Sequence, residues 1–292
     1  MHTTDIALAT CSLLPTLDDD ERQVIPALAR RGLVAEPRVW DDPLATWDDT
    51  RVVVVRSTWD YSDRREEFLE WCGRMPRLLN SVAVIEWNTD KTYLRELAGS
   101  GISVVPTTWV SPGDDVRATE IPDGEVVVKP AISAGARNTS RYGRSDRERA
   151  RLHIDRLLAD GRTVLLQPYV ASVDGAGEIG LIYIDGVYSH SIRKGPLLRL
   201  HNPSTERLWA PESISAGTPE AQERALAEAT LDSLRWPREE LLYARVDIVR
   251  GDDGRSLLLE LELAEPSLFL GFGVDAHERL AAGIARRLEE AG

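Results

Sequence analysis

Three acidic residues near the C-terminal end of this 292-residue chain are spaced for chemistry, and a fourth follows just before a proline. They are Asp247 in "YARVDIVRG" and Glu260, Glu262 and Glu265 in "SLLLELELAEPSLFLG". Leu and Glu alternate from Leu259 to Leu263, the period of a β-strand, so leucines take one face and carboxylates the other. The turn-forming Gly251-Asp252-Asp253-Gly254 joins the two segments into a hairpin. With Asp252-Asp253 as the loop, Arg250 pairs with Arg255 and Arg245 with Glu260. Arg245, Asp247, Glu260 and Glu262 then share one face, an inference that a one-residue slip of register would undo. Carboxylates grouped in this way suit a hard cation such as Mg²⁺, which is commonly shared with phosphate oxygens. The other reading is an edge strand with one solvated face.

A metal that meets phosphate calls for basic groups elsewhere in the chain. Lys129 ends the apolar run "EVVV", and Ser133-Ala134-Gly135-Ala136 just after it would let backbone N–H groups approach phosphate oxygens. No Gly-Lys-Ser/Thr follows, so this is not a P-loop, and a lysine ending a strand is also an ordinary snorkelling residue. Arg56 and Ser57 open "RSTWDY" at the end of a parallel strand, where α/β sheets bind ligands; they are candidates for holding a substrate carboxylate, and Trp59 reads equally as core. Arg193 and Lys194 adjoin a long irregular segment, read as a mobile loop, and serve either as substrate contacts or as surface charge. No convincing Ser-His-Asp or Cys-His set is present.

The elements that must position these groups follow from periodicity. "DIALATC", "VAEPRVW", "TRVVVVRSTWDY" and "VAVIEWN" read as strands, alternating with helices over "TLDDDERQVIPALARRGL" and "RREEFLEWCGRM". That alternation predicts a parallel sheet covered on both faces. No Gly-x-Gly-x-x-Gly follows the first strand, which leaves a dinucleotide site unsupported. Thr89 is the expected N-cap of a helix running to Gly99 or Gly101. "VVPTTWV", "GEVVVKP" and "TVLLQPYV" are further strands, "AISAGARNTSRYG" a loop and "DRERARLHIDRLLADG" a helix. A second hairpin turns at Asp185-Gly186; helices over "TPEAQERALAEATLDSLRW" and "DAHERLAAGIARRLEEAG" flank the acidic hairpin.

Composition narrows the class. A net charge of −13 and a pI near 5.0 argue against a nucleic-acid binder. Cys11 and Cys72 are too far apart for a metal motif or a disulfide framework, and a reducing cytoplasm is the natural compartment. "LATC" resembles a lipid-attachment box, but no basic region precedes it and Asp5 interrupts the approach, so a buried first strand is expected. No apolar run is long enough to span a bilayer.

The order Lys91 in "NTDKTYL", Lys129 in "VVVKP", the small-residue loop, "LLQPYV", then Asp247 with Glu260 and Glu262 resembles the ATP-grasp superfamily, from Asn88 to about Gly271. Glu260-Leu261-Glu262-Leu263-Ala264-Glu265-Pro266 is similar to the Glu-x-Asn-x-x-x-Pro of the glutathione-synthetase-like branch, with Glu262 where asparagine is customary. The resemblance implies an α/β fold in which an N-terminal parallel domain (1–88) precedes two antiparallel-sheet lobes (89–166 and 167–292) that clasp ATP. It implies that Lys91 and Lys129 contact phosphates and that the loop with Ser133 and Gly135 closes above them. Gln167, Tyr169 and Val170 would recognise adenine and Glu178 the ribose. Asp247, Glu260 and Glu262 would hold Mg²⁺, with Mn²⁺ as a substitute. Arg245 and Arg193 would neutralise the anionic intermediate, and Arg56, Ser57, Lys194 and Ser267 would face the substrate. The implied activity is ATP-dependent C–N ligation of a small amino-acid-type molecule, in a subgroup that includes the cyclo-ligase of D-cycloserine biosynthesis. An intermolecular dipeptide or γ-glutamyl ligase and a non-catalytic ATP-binding regulatory module are the alternatives. A cytoplasmic protein is implied, with no nucleic-acid or membrane partner, and a homodimer is compatible.

Overall fold

A computed structural model describes residues 4–200 and 212–290. The long apolar runs of the first third form a parallel sheet of β1 (Thr4–Thr10), β2 (Ala35–Val39), β3 (Thr50–Ser57) and β4 (Leu78–Leu79), in the order β2-β1-β3-β4. Val52 and Val54 pack to one side with Ile6 and Leu8, while Val53 and Val55 pack to the other with Phe68 and Trp71. Both faces are thus covered, which is why β3 carries no polar alternation.

Three expectations about this region need correction. The helix over 16–33 is two short helices, Asp19–Arg22 and Val24–Ala29. Pro26 lacks the N–H that a continuous helix needs for the Arg22 carbonyl. "VAVIEWN" is a helix, Val82–Asn88, not a strand; Val84, Ile85 and Asn88 are its buried residues, a helical spacing that a β-branched run concealed. Thr89 is therefore the C-cap of that helix, donating its N–H to Ile85 O, and the next helix begins only at Tyr93.

The central sheet is antiparallel: β5 (Thr108–Val110), β6 (Val126–Pro130), β7 (Ser140–Tyr142) and β8 (Val164–Pro168), ordered β5-β8-β6-β7. β7 takes the end of the segment expected to be wholly loop, and β8 runs across the expected 166/167 boundary. Ala150, Ile154 and Leu157 of helix Arg147–Ala159 cover this sheet.

The third sheet joins β9 (Glu178–Ile184), β10 (Val187–Lys194), β11 (Ile214–Ala216), β12 (Tyr243–Arg250) and β13 (Ser256–Glu262) in the order β11-β10-β9-β12-β13. Asp185 and Gly186 both have positive φ (55° and 74°), the backbone that a tight β9–β10 hairpin requires. One face packs on β1, β3 and helix Ala276–Glu289; the other packs on helices Tyr93–Gly99 and Ala221–Asp232. The irregular segment between β10 and β11 lies largely, at 201–211, outside the described residues. Among the described residues no helix is long and apolar enough to cross a membrane.

Candidate active site

The acidic hairpin forms, but in another register. Arg250 pairs with Ser256, and Asp247 pairs with Glu260, with a bulge between Asp247 and Ile248. Arg245 lies opposite Glu262, not Glu260. The turn shifts the pairing by one residue and the bulge shifts it by one more. Two single shifts restore parity, so Arg245, Asp247, Glu260 and Glu262 still face one side. Nor is this face open to solvent, as the edge-strand reading required. The outer edge of β13 is capped by side chains: Asn88 bonds Leu261 O (2.8 Å) and Leu263 N–H (2.6 Å), and the Tyr93 hydroxyl bonds both backbone groups of Leu261. Those bonds lock the glutamates over a cavity of about 400 Å³.

Each of the three carboxylates meets a cation. Lys194 Nζ lies 2.6 Å from Asp247 Oδ2, Lys91 Nζ lies 3.0 Å from Glu260 Oε1, and Arg245 reaches both Asp247 and Glu262. Burial pushes against ionisation of Asp247, but Arg245 and Lys194 outweigh it and hold its pKa below the usual carboxylate range. Glu260 behaves likewise through Lys91 and Lys129. Burial lifts Glu262 to about 7 in spite of Arg245, with Glu260 and Asp247 adding to the rise. Space beside Asp247 is kept by Gly180, where a Cβ would stand 2.9 Å from Asp247 Oδ1. Among the described residues no three Asp, Glu, His or Cys side chains stand ready to hold a metal together. The all-oxygen donor set fits Mg²⁺; the interleaved ammonium and guanidinium groups at present fill the role of counter-charge.

Lys129 differs from the other cations. It is buried on β6 and lines the cavity, and no hydrogen-bond or ion-pair partner for it exists among the described residues. Burial lowers its pKa, and nearby Lys91 adds to that fall. Lys91 is no exposed helix lysine: it sits in the turn between two helices, 7% exposed, donating to Ser133 O at 2.7 Å. Ser133 and Gly135 line the same cavity, and Gly135 and Ala136 both take positive φ (60° and 59°). Gln167, Tyr169, Val170 and Glu178 line it as well. Tyr169 N–H is already donated to Glu125 O, and Pro168 has none, so the Val170 N–H is the amide left for a base. Burial lifts Glu178 to about 7, with Lys194 opposing the rise from 3.8 Å.

Four expected site residues do not line the cavity: Asp247, buried against Lys194 and Arg245, and Arg193, Arg56 and Ser57. Alternation along β10 aims Lys194 into the cavity and Arg193 away from it, where Arg193 donates to Ala176 O at 2.8 Å. Arg56 and Ser57 are buried behind the cavity wall. Both bind Glu21, Ser57 at 2.7 Å, and Arg56 also stacks on Tyr243 and donates to Pro266 O at 2.8 Å. Ser267 does line the cavity, and its carbonyl accepts from Arg245. The residues that sequence reasoning passed over are Glu21, Tyr61 and Glu265, all of which line the cavity. Glu265 stood inside the quoted motif without a role, its position before Pro266 being the available signal.

The comparisons agree with this geometry. Residues 6–80 match the family described as "D-cycloserine synthetase DcsG, N-terminal domain". The cycloserine biosynthesis protein DcsG of Streptomyces lavendulae is 38% identical over 304 aligned residues, covering 97% of this chain and 99% of that protein. The crystal structure of D-cycloserine synthetase DcsG superposes with a TM-score of 0.85 at 38% identity, covering 97% and 99% of the two chains. The ATP-grasp ligase PsnB, solved with a minimal precursor, Mg and ADP, shares the fold at a TM-score of 0.63 and 19% identity, covering 99% of each chain.

Proposed function

This chain belongs to the D-cycloserine synthetase family of ATP-grasp ligases, and on that premise we propose that it activates the carboxylate of a small amino acid or derivative and closes a C–N bond within the same molecule. It is an enzyme, an ATP-dependent ligase that forms carbon–nitrogen bonds, which removes the non-catalytic module from consideration. The observation that carries this reading is a single cavity lined by Lys91, Lys129, Lys194, Arg245, Glu260 and Glu262, with Asp247 buried against Lys194 and Arg245.

In this reading the substrate carboxylate attacks the γ-phosphorus of ATP, giving an acyl phosphate and ADP, and an amine nitrogen then displaces phosphate. Lys129, lacking a protein partner, receives a phosphate. Lys91 and Lys194 follow once their carboxylates find another counter-charge. Asp247, Glu260 and Glu262 would hold Mg²⁺, with Mn²⁺ as an accepted substitute; bound metal supplies positive charge along the phosphate chain. Val170 N–H is the proposed adenine donor, beside Gln167 and Tyr169, and Glu178 the ribose acceptor. Ser133 and Gly135 belong to a loop that closes over the nucleotide. Arg245, anchored on Ser267 O, neutralises the anionic intermediate. Catalysis then rests on positioning and charge. Three units, 1–88, 89–166 and 167–292, would do this work; each carries one of the three sheets, except that β8 of the central sheet runs on to Pro168. The same reading has the protein act in the cytoplasm on a small molecule, without nucleic acid or membrane, and a homodimer is compatible with it.

The test is to incubate the pure protein with ATP, Mg²⁺ and a panel of small amino acids and to follow ADP and product mass. A product of one substrate less water means cyclisation; two substrates less water means intermolecular ligation and overturns ring closure. Lys129→Ala should weaken ATP binding in calorimetry, and unchanged affinity would remove Lys129 from the phosphate site.

A further inference from the structure

Glu265 is a cavity carboxylate of a different kind. Asp247, Glu260 and Glu262 each have a Lys or Arg in contact, whereas Glu265 has no ion-pair partner among the described residues. The Tyr61 hydroxyl stands beside its carboxyl, and Tyr61 is buried in the aromatic core of the N-terminal sheet. The backbone is pinned on both sides: Trp59 Nε1 donates to Glu265 O at 3.0 Å, and Arg56 donates to Pro266 O at 2.8 Å. Three residues that follow the C-terminal end of β3 or lie within it therefore fix one side chain at the mouth of the hairpin.

Attack by nitrogen on an acyl phosphate needs such a group. As the N–C bond forms and the C–O bond to phosphate breaks, phosphate leaves with the electron pair and the nitrogen carries one proton too many. Arginines cannot accept it, the lysines are committed to phosphate or to carboxylates, and Asp247 and Glu260, held ionised by cations, accept it poorly. We propose that Glu265, oriented by Tyr61, is a catalytic residue that takes the proton from the attacking nitrogen. The proposal rests on the ligase reading above. The groups that face Glu265 suit the role. Glu262 and Glu260 on its own segment favour the proton, Lys91 opposes them, and Tyr61, Tyr243 and Cys72 are the neutral neighbours. Burial, followed by Glu262, lifts the carboxyl to about 8, so it holds a proton more readily than an ordinary glutamate does.

The experiment separates the two halves of the reaction. Hydroxylamine is neutral near pH 7 and strongly nucleophilic, so it intercepts an acyl phosphate with little need for a buried base. Glu265→Gln should lower kcat for the C–N product by about 10²–10⁴-fold, while hydroxamate captured per ADP rises toward unity. The rise of the wild-type rate with pH that belongs to Glu265 should vanish in the variant. Tyr61→Phe keeps the packing and should give the same split more weakly. If Glu265→Gln lowers hydroxamate and product together, or raises KM with kcat unchanged, the residue is structural or a substrate anchor and the proposal is wrong. If the wild type itself yields neither hydroxamate nor product, it is the ligase reading that fails.

Discussion

Two stretches of acid lie at the same cavity, the first with Asp247 buried behind it, and they are managed in opposite ways. On β12 and β13, Asp247 is buried and Glu260 partly so, yet Lys194, Arg245 and Lys91 hold both below the ordinary carboxylate range. A few residues on, Glu265 is given a phenol and an indole-pinned backbone in place of a cation, and it is lifted to about 8. The first arrangement keeps Asp247 and Glu260 charged by supplying their partners, although Glu262 beside them is still lifted to about 7; the second lets burial win and keeps a proton. One cavity thus contains carboxylates suited to a metal cation and a carboxyl suited to proton transfer. On the proposed reading, an ion that replaced these cations would free two lysines and an arginine for phosphate oxygens.

The largest effect expected from this contrast is on turnover. Glu260→Gln preserves shape but removes one charge from the paired stretch, and it should cut the rate by orders of magnitude with the fold intact. Wild-type activity of that variant at limiting Mg²⁺ would merge the two stretches into one undifferentiated surface. A smaller effect follows from removing a cation. Lys194→Met should lower stability by roughly 3 kcal/mol, the low end for a broken buried pair because Arg245 still holds Asp247. Added Mg²⁺ should then raise the melting temperature of the variant more than that of the wild type; equal gains would argue against exchange between lysine and metal. The smallest effect is a pH dependence of stability. Glu265, Glu262 and Glu178 have folded pKa values of about 8, 7 and 7, above their unfolded values, so the native state holds more protons between roughly pH 4.5 and 8. Their contribution is complete below that window and is lost as pH rises through it. Glu265→Gln should therefore melt above the wild type at pH 8, and the gap should close toward pH 5. A gap that widened in acid would reverse the assignment.

How far this contrast could be read beforehand depended on distance along the chain. The paired stretch was legible because alternation is local: Leu259 to Leu263 declares its faces, and the order of Lys91, Lys129, Asp247 and Glu260 ties the stretch to a nucleotide. Even there, the true register escaped notice, and the face assignment survived because the turn and the bulge each moved pairing by one residue. Adjacent Arg193 and Lys194 were not separable until β10 showed which parity faces the cavity. Glu265 depends on Tyr61 and Trp59, about two hundred positions away, and no local period signals such a contact. Arg56 and Ser57 misled for the same reason: a polar strand end resembles a ligand site until Glu21, carried by a short helix, is found to occupy it. Val82–Asn88 misled because β-branched residues favour strands when nothing packs against them, whereas here tertiary packing on Val84 and Ile85 decides for helix.

Oxygen transfer tests the central claim most directly, because only a carboxylate that attacks phosphorus gives up an oxygen to phosphate. Substrate labelled with ¹⁸O in its carboxyl group would be turned over with ATP and Mg²⁺, and the released phosphate weighed by mass spectrometry. An acyl phosphate predicts one ¹⁸O in each phosphate that accompanies a new C–N bond. Phosphate without label, released in step with ADP and substrate consumption, would mean that water or another group attacks ATP, and the ligase account of this cavity would be wrong.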